Sequence, residues 1–273
     1  MSRLEREGLG SFVFSDAAAP SGSLRVFFFR PKPGRGDSRI VVAMHGFDRA
    51  ASGFRDVLVS QANRSGQIVL VPEFDKLQFP DADAYNYGNV IRQHPSGAPA
   101  PRRLWNFGIV DRLFEAVRDA VGSRRQGFGL FGNSAGAQFV LRYFALTEGP
   151  AVHAAVAANC GWYMLPDLSI DYPVGMGGLD LDESCLRRYL GRRLIVLLGD
   201  ADTDSEASDL PRGEAAMAQG PHRLARGLWH FDHCKRLADQ LGTPFGWTLE
   251  IVPGAGHVDQ AIYDRAALNL AGR

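Results

Sequence analysis

The sequence predicts an α/β fold built on a doubly wound, mostly parallel sheet, and three observations carry that prediction. Short apolar runs alternate along the chain with stretches of helical periodicity. The runs are apolar at consecutive positions, as strands covered on both faces require. Each run stops at or near a glycine or proline, and the residues able to do chemistry gather just past those stops. Strand, helix, strand in that order feeds a parallel sheet, which places ligands at the carboxyl ends of its strands.

The elements follow in order. Leu24 to Phe29 (LRVFFF) is aromatic and branched, and is bounded by Gly22 and by Pro31-Lys32-Pro33-Gly34. That is a strand between turns. Ile40–Met44 runs into His45-Gly46, and Ile68–Val71 into Pro72. Gly127–Phe131 runs into Gly132, and Ala154–Ala158 stops near Gly161. Leu194–Leu198 runs into Gly199, and Thr248–Val252 into Pro253-Gly254. Helices are predicted over 54–63, 107–121, 135–146, 228–241 and 258–270. The second has Ile109, Leu113, Val117 and Val121 at helical spacing. Two segments, roughly 75–105 and 162–190, read as irregular, with the composition of a lid or wall over a site. No repeat and no long linker divides the 273 residues, so one domain with a short cap is expected over 1–273.

Bulk composition excludes several classes. Lys plus Arg is 30 and Asp plus Glu is 30, so the chain lacks the basic excess of a nucleic-acid binder. Arg102-Arg103, Arg187-Arg188 and Arg192-Arg193 are short pairs of the kind found at helix ends and loops. Cys160, Cys185 and Cys234 have no paired spacing, so they read as small buried hydrophobes rather than metal ligands. No stretch approaches the roughly 18 apolar residues of a membrane span. The opening Met-Ser-Arg-Leu-Glu-Arg-Glu-Gly has no apolar run, so a cytoplasmic location is expected.

The chemistry is carried by four motifs. Gly132-Asn133-Ser134-Ala135-Gly136 lies between a predicted strand and helix. Small neighbours let a serine sit on a sharp turn with its hydroxyl exposed at a helix N-terminus. Gly254-Ala255-Gly256-His257 follows the last strand and supplies an imidazole, the base a hydroxyl needs near neutral pH. Gly199-Asp200-Ala201-Asp202-Thr203-Asp204 follows the LIVLL strand and supplies the carboxylate that fixes the imidazole tautomer. Asp202 is the favoured member, with Asp200 and Asp204 as competitors. His45-Gly46-Phe47-Asp48-Arg49 follows the IVVAM strand. There the N–H of Phe47, with that of Ala135, would hold an oxyanion, and His45 would brace the loop. The other histidines, His94, His153, His222, His230 and His233, read as surface or satisfied core residues.

The order Ser134, Asp202, His257 and the four motifs together resemble the α/β-hydrolase superfamily from about residue 10 to 273. The HG turn, G-x-S-A-G elbow and short cap resemble the branch of esterases, polyhydroxybutyrate depolymerases and feruloyl esterases. This chain carries Phe47-Asp48 after the HG, where the depolymerases often have cysteine. The resemblance implies an α/β-hydrolase-type sheet and a serine hydrolase acting through an acyl-enzyme. It implies no metal and no organic cofactor.

The expected substrate is a small-molecule or oligomeric carboxylic ester, lactone or thioester, with no nucleic-acid or membrane partner. Trp162 and Tyr163, directly after the AAVAA strand, and Tyr85 and Tyr87, in the first irregular segment, are candidate substrate-binding aromatics. Arg223 and Arg226 are weighed as contacts to an anionic group against a salt bridge at a helix start, and the salt bridge is preferred. Amide or peptide hydrolysis by the same triad is the alternative activity. A silent ligand-binding member of the fold is the alternative class, disfavoured because all three triad members are present.

Overall fold

A computed structural model describes residues 7–32, 37–91, 97–149 and 151–271. His94, part of the turn at Pro33-Gly34 and the N-terminal residues 1–6 lie outside the described residues. The strands are β1 (Gly8–Ser15), β2 (Ser23–Arg30), β3 (Ile40–Met44), β4 (Ile68–Pro72), β5 (Phe128–Asn133), β6 (Val152–Ala158), β7 (Leu194–Gly199) and β8 (Trp247–Val252). They form one sheet in the order β1-β2-β4-β3-β5-β6-β7-β8. β1 and β2 pair antiparallel, β2 joins β4 antiparallel, and every other pairing is parallel.

Alternation within the central strands decides which helices cover which face. Ile40, Val42 and Met44 of β3 point into one core, while Val41 and Ala43 point into the other. In β7, Leu194, Val196 and Leu198 join the first core, and Ile195 and Leu197 the second. The first core is closed by α2 (Phe107–Ala120), α3 (Ala135–Leu146), α4 (Glu183–Gly191) and α6 (Arg223–Leu241), the short α5 (Glu214–Met217) lying between the last two in the chain. The second is closed by α1 (Ala51–Ser65) and α7 (Gln260–Ala271), through Phe54, Leu58, Ile262 and Tyr263. Strands apolar on both faces therefore contribute twice. At about 1.5–3 kcal/mol per buried aliphatic or aromatic side chain, these two interfaces dominate the stabilisation.

The winding reverses between β3 and β5. From β3 the chain steps to β4 on one side and returns through α2 to β5 on the other. Met44 at the end of β3 lies in register with Gly132 of β5, so the HG turn and the serine elbow leave the sheet side by side. This is the crevice in which doubly wound sheets bind ligands.

The structure departs from the sequence reading at several elements, among them β1, α4 and the start of α6. β1 was not predicted, because GLGSFVFS mixes glycine and serine with few apolar residues, and only Phe12 and Phe14 bury substantially. α4 lies inside the segment read as irregular, and is capped by the Asp182 carboxylate accepting from the Ser184 N–H. α6 begins at Arg223 rather than at 228, capped by His222, whose Nδ1 accepts from Ala225 N. All three cysteines are free and buried. Among the described residues no helix is long and apolar enough to cross a membrane.

Candidate active site

Ser134 stands between β5 and α3 with φ 58° and ψ −117°, a conformation costly for a residue with a Cβ. The two glycines of the motif make that turn possible. A Cβ on Gly132 would overlap the carbonyl oxygen of Gly136, and one on Gly136 would overlap that of Met44. The elbow is thus pressed against its own helix and against the end of β3. The Ser134 N–H donates to Ala158 O at 3.0 Å, tying the elbow to the end of β6.

His257 reaches the same point from the loop after β8. Its Nε2 lies 3.1 Å from Ser134 Oγ, and its Nδ1 lies 2.9 Å from Asp202 Oδ2. With the Nδ1 proton directed at the carboxylate, Nε2 is left as the acceptor for the serine hydroxyl. Asp202 is 4% exposed. A buried carboxylate needs compensation, and Arg223, itself buried, provides it with Nη1 3.6 Å from Asp202 Oδ1. Of the three aspartates in the loop after β7, Asp202 alone meets the imidazole. Asp200 accepts from Gly254 N at 2.6 Å and so props the histidine loop. Asp204 closes a local turn by accepting from Glu206 N.

Phe47 and Ala135, the oxyanion pair expected from sequence, lie on the two turns that flank Ser134. Ala135 opens α3 directly after Ser134, and the first N–H groups of a helix have no partner within it. Phe47 lies in the turn after β3, in the same cavity as Ser134 and His257. His45 and Arg49 both help to hold that turn. His45 is fully buried, and its Nε2 accepts from Phe74 N at 3.1 Å. Burial pushes its imidazole down to about 4, which keeps it a neutral brace. Arg49, with φ 65°, sends its guanidinium to the carbonyls of Phe74, Phe79 and Asp81.

Asn159 is a structural partner of the site that sequence reading missed. It follows β6 in left-handed geometry, with φ 46°, and is 1% exposed. Its Nδ2 donates to the carbonyls of Gly256 and His257, both at 3.1 Å, and its Oδ1 accepts from Gly199 N at 2.9 Å. One amide therefore joins the ends of β6 and β7 to the histidine loop. The available signal was an asparagine at a strand end, a residue that tolerates positive φ.

The proposed aromatic wall divides. Tyr85 is fully buried behind the HG turn, stacked on His45 at 4.8 Å with its hydroxyl donating to His45 O, so it cannot face a cleft. Tyr163 is 1% exposed and stacks on His230 at 4.4 Å, which makes it a core residue as well. Tyr87 and Trp162 do line an open cavity of about 760 Å³ with Leu165, Val174 and Pro211. The buried Arg142 guanidinium lies 4.3 Å from the Tyr87 ring and 5.2 Å from the Trp162 ring, fixing both. Ser134 lines a different cavity of about 500 Å³, with Phe47, Phe54, Val57, Val258 and Tyr263.

Arg223 and Arg226 do not reach toward a ligand. Arg223 joins Asp202 and Asp209, and Arg226 donates to the carbonyls of Gly161, Pro211 and Gly220. Asp209 was also missed. Desolvation alone would raise its carboxyl, but the Arg223 hydrogen bond and the charges of Arg223 and His257 outweigh it and hold it below the usual carboxylate range.

No protein-family model matches the chain, and no curated protein sequence does. Solved structures do. Poly(aspartic acid) hydrolase-1 from Sphingomonas sp. KT-1 is 36% identical, with 97% of this chain and 99% of that one covered, at a TM-score of 0.93. A poly(3-hydroxybutyrate) depolymerase from Bordetella parapertussis is 34% identical, with 99% and 92% covered, at 0.91. An S-formylglutathione hydrolase from Agrobacterium tumefaciens, 17% identical with 97% and 95% covered at 0.61, is alike in fold.

Proposed function

Because the chain belongs to the α/β-hydrolase superfamily of serine hydrolases, we propose that it cleaves a carboxylic ester through an acyl-enzyme, with Ser134, His257 and Asp202 as its triad. The observation that carries this reading is the unbroken contact from Ser134 Oγ through the His257 ring to Asp202, at 3.1 and 2.9 Å.

His257 Nε2 takes the hydroxyl proton as Oγ attacks the carbonyl carbon. The Asp202 carboxylate stabilises the imidazolium that forms. The N–H groups of Phe47 and Ala135 receive the oxyanion, a contribution of a few kcal/mol to the barrier. The same proton then passes from Nε2 to the departing alcohol. Water, deprotonated by His257, attacks the acyl carbon and frees Ser134. The apolar walls of the Ser134 cavity suit an acyl or alkyl group, and Tyr87 and Trp162 offer a further aromatic surface.

Amide hydrolysis uses the same groups, and the likeness to a hydrolase of poly(aspartic acid), a polymer of amide bonds, supports it as the second reading. Pre-steady-state turnover of matched p-nitrophenyl butyrate and butyryl p-nitroanilide separates the two. The ester reading expects a burst of about one p-nitrophenolate per enzyme, and much slower release from the anilide. Comparable anilide turnover would move the assignment to an amidase.

A further inference from the structure

Among the described residues that line the Ser134 cavity, the two with a fixed charge are both aspartates, Asp48 and Asp209. Asp48 serves its own turn, with Oδ1 accepting from Ala50 N at 3.2 Å. Asp209 faces the reaction centre. Its Oδ2 lies 3.9 Å from His257 Nε2, the nitrogen that lies 3.1 Å from Ser134 Oγ. The side chain does not wander, because its Oδ1 accepts from Arg223 Nη2 at 2.7 Å. It is nevertheless 55% exposed, on the side of the cavity.

The position matters because of what passes by Nε2. That nitrogen hands its proton to the departing heteroatom, so the leaving group must rest against it. Anything attached a few atoms further out comes within several ångströms of Asp209. Arg223 does not cancel the carboxylate there. It is buried, and it is shared with Asp202, so the Asp202–Arg223–Asp209 cluster carries one net negative charge with a carboxylate oxygen as its exposed end.

Resting on the serine-hydrolase reading above, we propose that Asp209 is a specificity-determining residue that selects on leaving-group charge. Esters of an alcohol bearing an ammonium group are favoured over neutral ones, and those bearing an anion are disfavoured. Unit charges some 6 Å apart near a protein surface, screened by salt at about 0.1 M, shift a rate by about tenfold in each direction.

The test uses three acetates that differ in leaving-group charge at similar shape: acetylcholine, 3,3-dimethylbutyl acetate and 2-acetoxyethanesulfonate. Acetate release gives kcat/KM for each with the purified full-length enzyme. The expected wild-type order is cation, neutral, anion, with about tenfold between steps. Asp209→Asn keeps an acceptor for Arg223, and should compress the three values to within about twofold of one another. Asp209→Glu should keep the order. With the wild type alone, raising ionic strength from 0.02 to 0.5 M should narrow the spread.

Equal wild-type rates overturn the proposal, as does a spread that salt does not touch. So does an Asp209→Asn enzyme in which all three rates fall by one factor, because that is the signature of a strut for Arg223. Failure of the underlying reading looks different. The neutral ester would then go unhydrolysed and a fluorophosphonate would leave Ser134 unmodified, and the inference would fall with it.

Discussion

The Asn159 side-chain amide donates to the main-chain carbonyl of His257 at 3.1 Å while its oxygen accepts from Gly199 N, so one residue at the end of β6 sets where the imidazole stands. Loops are the least constrained parts of a fold, and the loop carrying His257 is held by side chains at strand ends. Asn133 adds a second donor to the same carbonyl at 3.3 Å, and Asp200 accepts from Gly254 N.

Replacing Asn159 by alanine should therefore act on the rate more than on binding. A displacement of about 1 Å at the imidazole is enough to lower kcat by 10- to 100-fold, with KM changed little. The lost partners of buried backbone groups should cost about 1–3 kcal/mol of stability. Steady-state kinetics on a p-nitrophenyl ester and urea denaturation measure the two effects. An unchanged kcat in a folded Asn159→Ala enzyme would contradict the positioning role.

The aspartates after β7 should separate cleanly. Asp202→Asn removes the charge opposite the imidazole and favours the wrong tautomer, which lowers kcat on the order of 10³–10⁴-fold. Asp204→Asn should stay within about threefold of wild type, because Asp204 only closes a surface turn. Equal losses in the two variants would remove Asp202 from its assigned place.

The fold was legible because its strands are apolar on both faces, a pattern that few architectures tolerate. The edge hairpin was not, since β1 is half glycine and serine, and pairs only with β2. The proposed triad residues stand out in the sequence because each follows a strand and a glycine, and the chain order restricts the arrangement. Asp202 is favoured over Asp200 by sequence, and the coordinates separate the two by where the turn sends them, Asp202 to His257 Nδ1 and Asp200 to Gly254 N.

What the sequence could not supply were partners distant along the chain. Asn159, Arg223 and Asp209 have meaning only once the ends of β6 and β7 and the start of α6 converge. Tyr85 and Tyr163 show the reverse error, since an aromatic near a strand end can turn inward as easily as outward. Tyr85 instead braces the HG turn, and Tyr163 packs on His230.

Two buried histidines make stability depend on pH. Burial holds His45 at about 4 and His230 at about 3, against 6.5 for an exposed imidazole. The unfolded chain therefore binds protons that the folded chain refuses. Stability is fully present above about pH 6.5 and is lost as pH falls toward 4, by about 2 kcal/mol per histidine at pH 5. Urea midpoints at pH 7 and pH 5 should show the loss, and His230→Phe should reduce it. A midpoint that does not move between these values would refute the account of both histidines.

The most direct test of the whole reading is the mass of the protein after exposure to a fluorophosphonate, followed by peptide mapping. The expected result is one adduct per chain, on Ser134, formed rapidly in wild type, slowed at least 100-fold in His257→Ala and absent in Ser134→Ala, which should also lose ester turnover. An unmodified wild-type Ser134, or a Ser134→Ala enzyme that hydrolyses the ester at the wild-type rate, would contradict it.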